Sequence, residues 1–211
     1  MIDLSGAKPF AEGGNRICYQ HPNHKNICLK ITHPGLPKKL KKEASWYKKL
    51  RSEKSFDDNF REKNAYQQKA INIHDGKIWN HLAKWYGFKE TSLGIASASE
   101  LILNDGIIAD TLESYLFKYG KTEQITYAIN DFEQWLRETL LLTKNILPHN
   151  LVVQTKDNVL VIKIIDGLGC SSFLKLPKLN NFFAKKYVER RIDLMHSRIN
   201  WDLSGRQGNW K

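Results

Sequence analysis

A handful of side chains scattered along this chain are of the types that handle phosphate and divalent cations. Lys30 lies inside the apolar run "NICLKI", and Glu43 lies in the lysine-rich run "KKLKKEASWYKKL". Asn150 ends the stretch "TKNILPHN", and Asp166 follows sixteen positions later in "IIDGLG". A glycine pair, Gly13-Gly14, precedes all of them. A strand lysine offers a point charge to phosphate oxygens, and a glutamate on a neighbouring helix holds such a lysine in place. Backbone amides in a glycine turn can approach phosphate closely. An amide oxygen and a carboxylate on adjacent loops supply the hard oxygen ligands that Mg²⁺ prefers. Read together, these residues point to binding of a nucleoside triphosphate with its metal.

The elements that must position them can be read from periodicity. Residues 9–31 hold short alternating runs, "RICYQ" and "NICLKI", broken by Gly13-Gly14 and by "HPNHK". They predict three antiparallel strands. The spacing of Leu40, Glu43, Tyr47 and Leu50 predicts one helix over 38–50, with Glu43 on its inward stripe. Residues 51–77 are charged and poorly periodic, as expected of an insertion or mobile connection. "HLAKWYGFKET" and "SLGIASASELIL" predict a hairpin, and "NDG" at 104–106 predicts a boundary between two lobes. A capped helix from Asp110 or Thr111 to Gly120 follows, then the strongest helical pattern, over 122–142. "LVVQ" and "VLVIKII" predict a hairpin around "TKDN". Residues 178–199 predict a basic helix with Phe182, Phe183, Tyr187 and Met195 as its apolar positions, and a frayed tail after it.

Glycine turn, strand lysine, helix glutamate, hinge-like "SELILNDG", loop asparagine and strand-end aspartate occur in the order used by protein-kinase-like folds for phosphoryl transfer. The expected architecture is therefore α+β, with a β-rich first lobe over 1–103 and a reduced, mostly helical second lobe over 104–211. The stretches "GGNRICYQHPNHKNICLKI", "KKLKKEASWYKKL", "YGFKETSLGIASASELILNDG", "NILPHNLVV" and "IIDGLG" together resemble the YrbL family of PhoP-regulatory-network proteins. The resemblance covers most of residues 10–170. It implies a kinase-like fold, a bacterial cytoplasmic setting, Lys30 paired with Glu43, and Asn150 with Asp166 as metal ligands. It also implies Ser99 as gatekeeper, with Glu100 and Ile102 presenting hinge backbone groups to an adenine.

The kinase catalytic loop reads H-R-D-L-x-x-x-N. Counting back from Asn150 puts Asn145 at the aspartate position, Thr143 at the histidine, and Leu147 where many kinases carry a lysine. An amide does not take a proton near neutral pH, and general-base assistance is worth about 10² to 10⁴-fold. Only 44 residues follow Gly167, and they hold no A-P-E segment, so a full peptide-docking lobe does not fit. The expected function is a nucleotide-binding pseudokinase with a regulatory role, using ATP and Mg²⁺. The alternative is an atypical phosphotransferase acting on a small-molecule or cell-envelope acceptor.

Composition bounds the remaining choices. The 41% hydrophobic content suits a folded globular chain. No run of 18 apolar residues predicts a membrane span, and no signal peptide is visible at the start. Three cysteines, Cys18, Cys28 and Cys170, suit neither a disulfide framework nor a zinc site. The net charge of +11 favours anionic partners. Nucleotide is the first expectation, an unknown small-molecule or protein partner the second. A third is nucleic acid, through the lysine-coated helix or through residues 171–211, where nine Lys or Arg face three acids.

Overall fold

The computed structural model describes residues 1–170 and 176–210, which fold as two compact units. The first comprises Met1–Tyr66 and Lys84–Leu101, and the second Gln67–Ala83 and Ile102–Lys211. The chain is α+β, with its main sheet in the first unit and its long helices in the second. The sequence-based boundary at 103/104 thus falls two residues late, and residues 67–83 join the second unit instead of the first.

The first unit is built on a five-stranded antiparallel sheet in the order β1-β2-β3-β5-β4. Its strands are β1 (Ala11–Glu12), β2 (Arg16–Gln20), β3 (Ile27–Thr32), β4 (Trp85–Thr91) and β5 (Gly94–Glu100). Alternation along these strands splits the sheet into two chemically distinct faces. One carries Tyr19, Leu29, Ile31, Ala96 and Ala98, which pack with Leu4 as an apolar core. The other carries Cys28, Lys30, Ser97 and Ser99, all buried, with Lys30 directly opposite Cys18 and Ser97. A buried face of small polar residues and one lysine needs polar cover, and α3 (Asp58–Ala65) provides it.

The single helix expected over 38–50 is instead two. The chain forms α1 (Leu36–Glu43), leaves helical geometry at Ala44 (ψ 156°) and Ser45 (ψ 150°), and turns again as α2 (Trp46–Lys49). The break rotates Tyr47 and Leu50 off the stripe of Leu40. Neither α1 nor α2 has a buried residue. The stretch 51–77, expected to be irregular, holds α3, α4 (Lys69–Ile73) and a 3₁₀ turn at Glu53–Phe56, with a second at Lys77–Asn80 beginning at its end. Asp57 caps α3 by accepting from the Asn59 N–H at 2.9 Å. The buried positions of α3 are Asn59, Glu62 and Ala65, a stripe with two polar members that a search for apolar periodicity passes over.

In the second unit, β6 (Leu103–Asn104) and β7 (Ile107–Ile108) form a hairpin around Asp105-Gly106, both at positive φ. The capped helix is α5 (Leu112–Tyr119), with the Thr111 hydroxyl accepting from Ser114 N–H at 3.1 Å. Helix α6 (Glu123–Thr139) buries Ile125, Ala128, Ile129, Phe132, Trp135 and Leu136. The strands β8 (Leu151–Lys156) and β9 (Val159–Ile164) pair as expected around Asp157-Asn158. Helix α7 (Asn181–Leu203) buries Ala184, Val188, Ile192, Met195 and Ile199, whereas Phe182 and Phe183 lie exposed near its start. Met195 is buried as expected, but in the first turns the packing stripe uses Ala184 and Val188, each one residue beyond the bulkier Phe183 and Tyr187. The tail is also tied down: Arg206 bonds to Glu113 at 2.9 Å, and Trp201 donates to the Gly208 carbonyl at 2.8 Å.

His81 joins residues 67–83 to this unit. Its Nδ1 lies 2.8 Å from the Ile162 carbonyl, its Nε2 lies 3.2 Å from Asp131, and its ring packs beside Phe132 and Trp135. Burial pushes the imidazole below its ordinary value of about 6.5, although the Ile162 carbonyl and Asp131 pull it upward. The neutral form is therefore favoured in the fold. Its stabilisation is complete above the unfolded value and is lost as pH falls below it. Thermal melts between about pH 7 and pH 5 are expected to fall more steeply for the parent than for His81→Gln, which has no proton to gain.

Candidate nucleotide and catalytic-loop site

In the first unit, Lys30 meets a glutamate, but it is Glu62. Lys30 Nζ donates to Glu62 Oε1 at 2.6 Å. Arg16 Nη1 donates to the other oxygen at 2.8 Å, and the Ser97 hydroxyl does so at 2.9 Å. Arg16, Lys30 and Glu62 are 8, 5 and 7% exposed, so this cluster is held away from water. Asn59 completes it, donating to the Lys30 carbonyl at 3.0 Å. Trp85 donates to the Ser97 hydroxyl at 2.8 Å and stacks on Tyr66. Two cations share one carboxylate, which fixes the lysine and arginine head groups against the sheet. Glu43 is exposed at the end of α1. The pairing expected between Lys30 and Glu43 is therefore corrected to Lys30 with Glu62, because α1 buries no residue and so gives Glu43 no inward face, whereas α3 buries Glu62.

Sequence reasoning missed Glu62 and Arg16. The available signal was the Asp57 cap followed by Asn59 and Glu62 at helical spacing, inside a stretch with too few apolar residues to register as a helix.

Gly13 and Gly14 are exposed in the turn between β1 and β2. The Gly13 N–H donates to the Arg16 carbonyl at 2.9 Å, and His33 Nε2 lies 2.9 Å from the Gly13 carbonyl. A methyl group on Gly14 would meet nothing within 4 Å, so the turn offers open backbone. Ser99 is buried in β5, the Glu100 N–H donates to the Lys84 carbonyl at 2.7 Å, and the Ile102 carbonyl accepts from Ala109 at 2.9 Å. Cys28 is buried on the polar face of the sheet. Its hydrogen bond to Cys18, together with burial, pushes its thiol well above the usual range, which suits a packing residue and not a nucleophile.

In the second unit the loop residues come together. Asn150 donates through Nδ2 to the Asn145 carbonyl at 3.1 Å. The Asn145 N–H donates to the Gly167 carbonyl at 3.0 Å, and Asp166 Oδ1 accepts from the Gly167 N–H at 2.6 Å. Asn145, Asn150 and Asp166 thus sit on two segments stitched by backbone bonds, reinforced by a bridge between Thr143 and Leu168. Tyr187 of α7 donates to the Thr143 carbonyl at 3.0 Å. Beside Asn145 lies a cavity of about 230 Å³, lined by Lys144, Leu147, Arg191, Leu194 and Trp210 among others, with no Asp or Glu among the described residues of its wall. Among the described residues, no cluster of three His, Cys, Asp or Glu side chains forms a resident metal centre. One amide and one carboxylate suit Mg²⁺, which commonly takes few protein ligands and completes its shell with phosphate oxygens and water.

A family profile described as PhoP regulatory network protein YrbL matches residues 2–200. The chain belongs to the YrbL family. The YrbL proteins of Escherichia coli K12 and Shigella flexneri are each 22% identical to it over 198 residues, spanning 90% of this chain and 84% of theirs. Among solved structures, it is similar to a double-mutant form of the Mycobacterium tuberculosis PknI kinase domain. There the TM-score is 0.52 at 12% identity, covering 94% of this chain and 74% of that one. It is also similar to Rad53 1–466 in complex with AMP-PNP, with a TM-score of 0.50 at 13% identity, covering 94% of this chain and 47% of that one. At such identities the likeness establishes the fold: this YrbL-family chain is kinase-like. No helix among its described residues is long and apolar enough to cross a membrane.

Proposed function

We propose that this protein binds ATP with Mg²⁺ as a pseudokinase, with a regulatory role. The observation that carries the reading is a contrast within one chain. The buried Lys30–Glu62 pair and the joined Asn150–Asp166 segments are groups suited to phosphate and metal, whereas the base position holds the amide of Asn145. In this reading Lys30 meets phosphate oxygens, held by Glu62, while Asn150 and Asp166 hold the metal. Mg²⁺ when bound neutralises phosphate charge. Asn145 orients a neighbouring group by hydrogen bonding without removing a proton.

The test is thermal denaturation with ATP, with and without Mg²⁺. Ligand at 100 times its Kd is expected to stabilise the fold by roughly 2.7 kcal/mol. The gain should disappear in Lys30→Met and Asp166→Ala, each compared with its own ligand-free melt. No shift up to saturating ATP sinks the reading.

The cavity beside Asn145 favours one second reading, an atypical phosphotransferase. Lys144 and Arg191 supply positive charge at its wall where Leu147 supplies none. Transfer of labelled phosphate from ATP to a small anionic acceptor, abolished in Asp166→Ala, would select it over the pseudokinase.

A further inference from the structure

The segment from Lys38 to Arg51 is not accounted for by the nucleotide site. It holds Lys38, Lys39, Lys41, Lys42, Lys48, Lys49 and Arg51, with Glu43 as the one acid. Within this cationic surface three large apolar side chains project into solvent: Trp46 is 78% exposed, Leu50 82% and Tyr47 47%. Trp46 and Leu50 are one helical turn apart and so share a side of α2. The Trp46 and Tyr47 rings touch edge to face, with centroids 6.1 Å apart. Every residue from Ser45 to Lys54 is exposed.

Folding does not explain this arrangement. A helix of four residues with no buried side chain gains nothing from packing, and exposing a tryptophan and a leucine together is unfavourable. An occupant that covers them must match apolar projections ringed by lysines. The surface of a bilayer rich in anionic lipid does so. Lysine ammonium groups meet the headgroup phosphates, tryptophan and tyrosine sit at the headgroup level, and leucine reaches the acyl boundary. A nucleic acid would satisfy the lysines and stack on the aromatics but would leave Leu50 in water.

We propose that the α1–α2 segment is a peripheral docking surface for anionic membrane, with Trp46 and Leu50 as the inserted side chains. The proposal is independent of nucleotide binding. It is tested by co-sedimentation of the full chain with vesicles of phosphatidylcholine alone and with about one third phosphatidylglycerol, an amount that gives a strongly negative surface. Binding is expected only to the anionic vesicles. Trp46→Ala with Leu50→Ala should weaken it by more than about tenfold, and Lys48→Glu with Lys49→Glu by roughly fivefold or more for each lysine. Both double variants are expected to melt like the parent, because none of the four side chains is buried. The proposal is overturned if anionic vesicles do not bind. It is equally overturned if the Trp46/Leu50 variant binds as well as the parent, or if a single-stranded RNA competitor binds this segment more tightly than the vesicles do.

Discussion

Glu62→Ala is expected to cost about 3–5 kcal/mol of stability, the loss typical of removing one partner from a buried ion pair. Arg16 and Lys30 both donate to this carboxylate, and so does Ser97, so one truncation disturbs three donors at once. Urea or thermal melts measure the loss. The comparison that decides the assignment is Glu43→Ala, at an exposed helix end, where a change within about 0.5 kcal/mol is expected. Equal losses at the two glutamates would show that Lys30 is held otherwise than by Glu62. A double-mutant cycle between Lys30→Met and Glu62→Gln adds a further check. Residues joined by a 2.6 Å bond should be strongly non-additive.

Gly167→Ala is expected to be the other severe substitution. Gly167 has φ +82°, and a Cβ there would stand 2.0 Å from the Asn145 carbonyl oxygen and 3.0 Å from its carbon. Both are backbone atoms, so no side-chain rotation relieves the clash. The left-handed conformation alone costs about 1 kcal/mol or more for an L side chain. Displacing the Asn145 backbone also breaks its bonds to Gly167 and Asn150, so a total of roughly 3 kcal/mol or more is expected. Gly205→Ala is the control: its φ is +75°, but nothing lies within 4 Å of the added methyl group. It should lose only the conformational part. A melt in which the two variants behave alike would remove the steric argument.

The comparison of these residues shows what the sequence made readable. Lys30 was visible because an apolar strand advertises a lysine placed inside it. Asn145, Asn150 and Asp166 were visible because short loops next to strong periodic elements preserve their spacing. Glu62 was not, since α3 buries an asparagine, a glutamate and an alanine, and its stability comes from polar bonds to the sheet. Glu43 was misread because its helical spacing from Leu40 was taken for an inward stripe, whereas α1 buries no residue and the chain breaks at Ala44 and Ser45 just beyond it. The first turns of the α7 stripe were misread by a different route, although Met195 is buried as expected. Periodicity weighted by size selects phenylalanines, whereas packing selected Ala184 and Val188.

The interleaving of the two units along the chain bears on how the protein is made. Residues 67–83 are synthesised in the midst of the first unit, yet their partners belong to the second: Ala83 N–H donates to the Ile164 carbonyl, and Leu82 bridges Ile164. Between residues 83 and 164 the ribosome adds 164 − 83 = 81 residues. At about 5–20 residues per second that is a wait of roughly 4–16 s. Over that interval Leu82, fully buried in the finished molecule, lacks the strand it bridges. The first unit can close its sheet as soon as β5 emerges. The nascent chain therefore carries a completed sheet with Leu82 still uncovered, the kind of apolar exposure that chaperones bind.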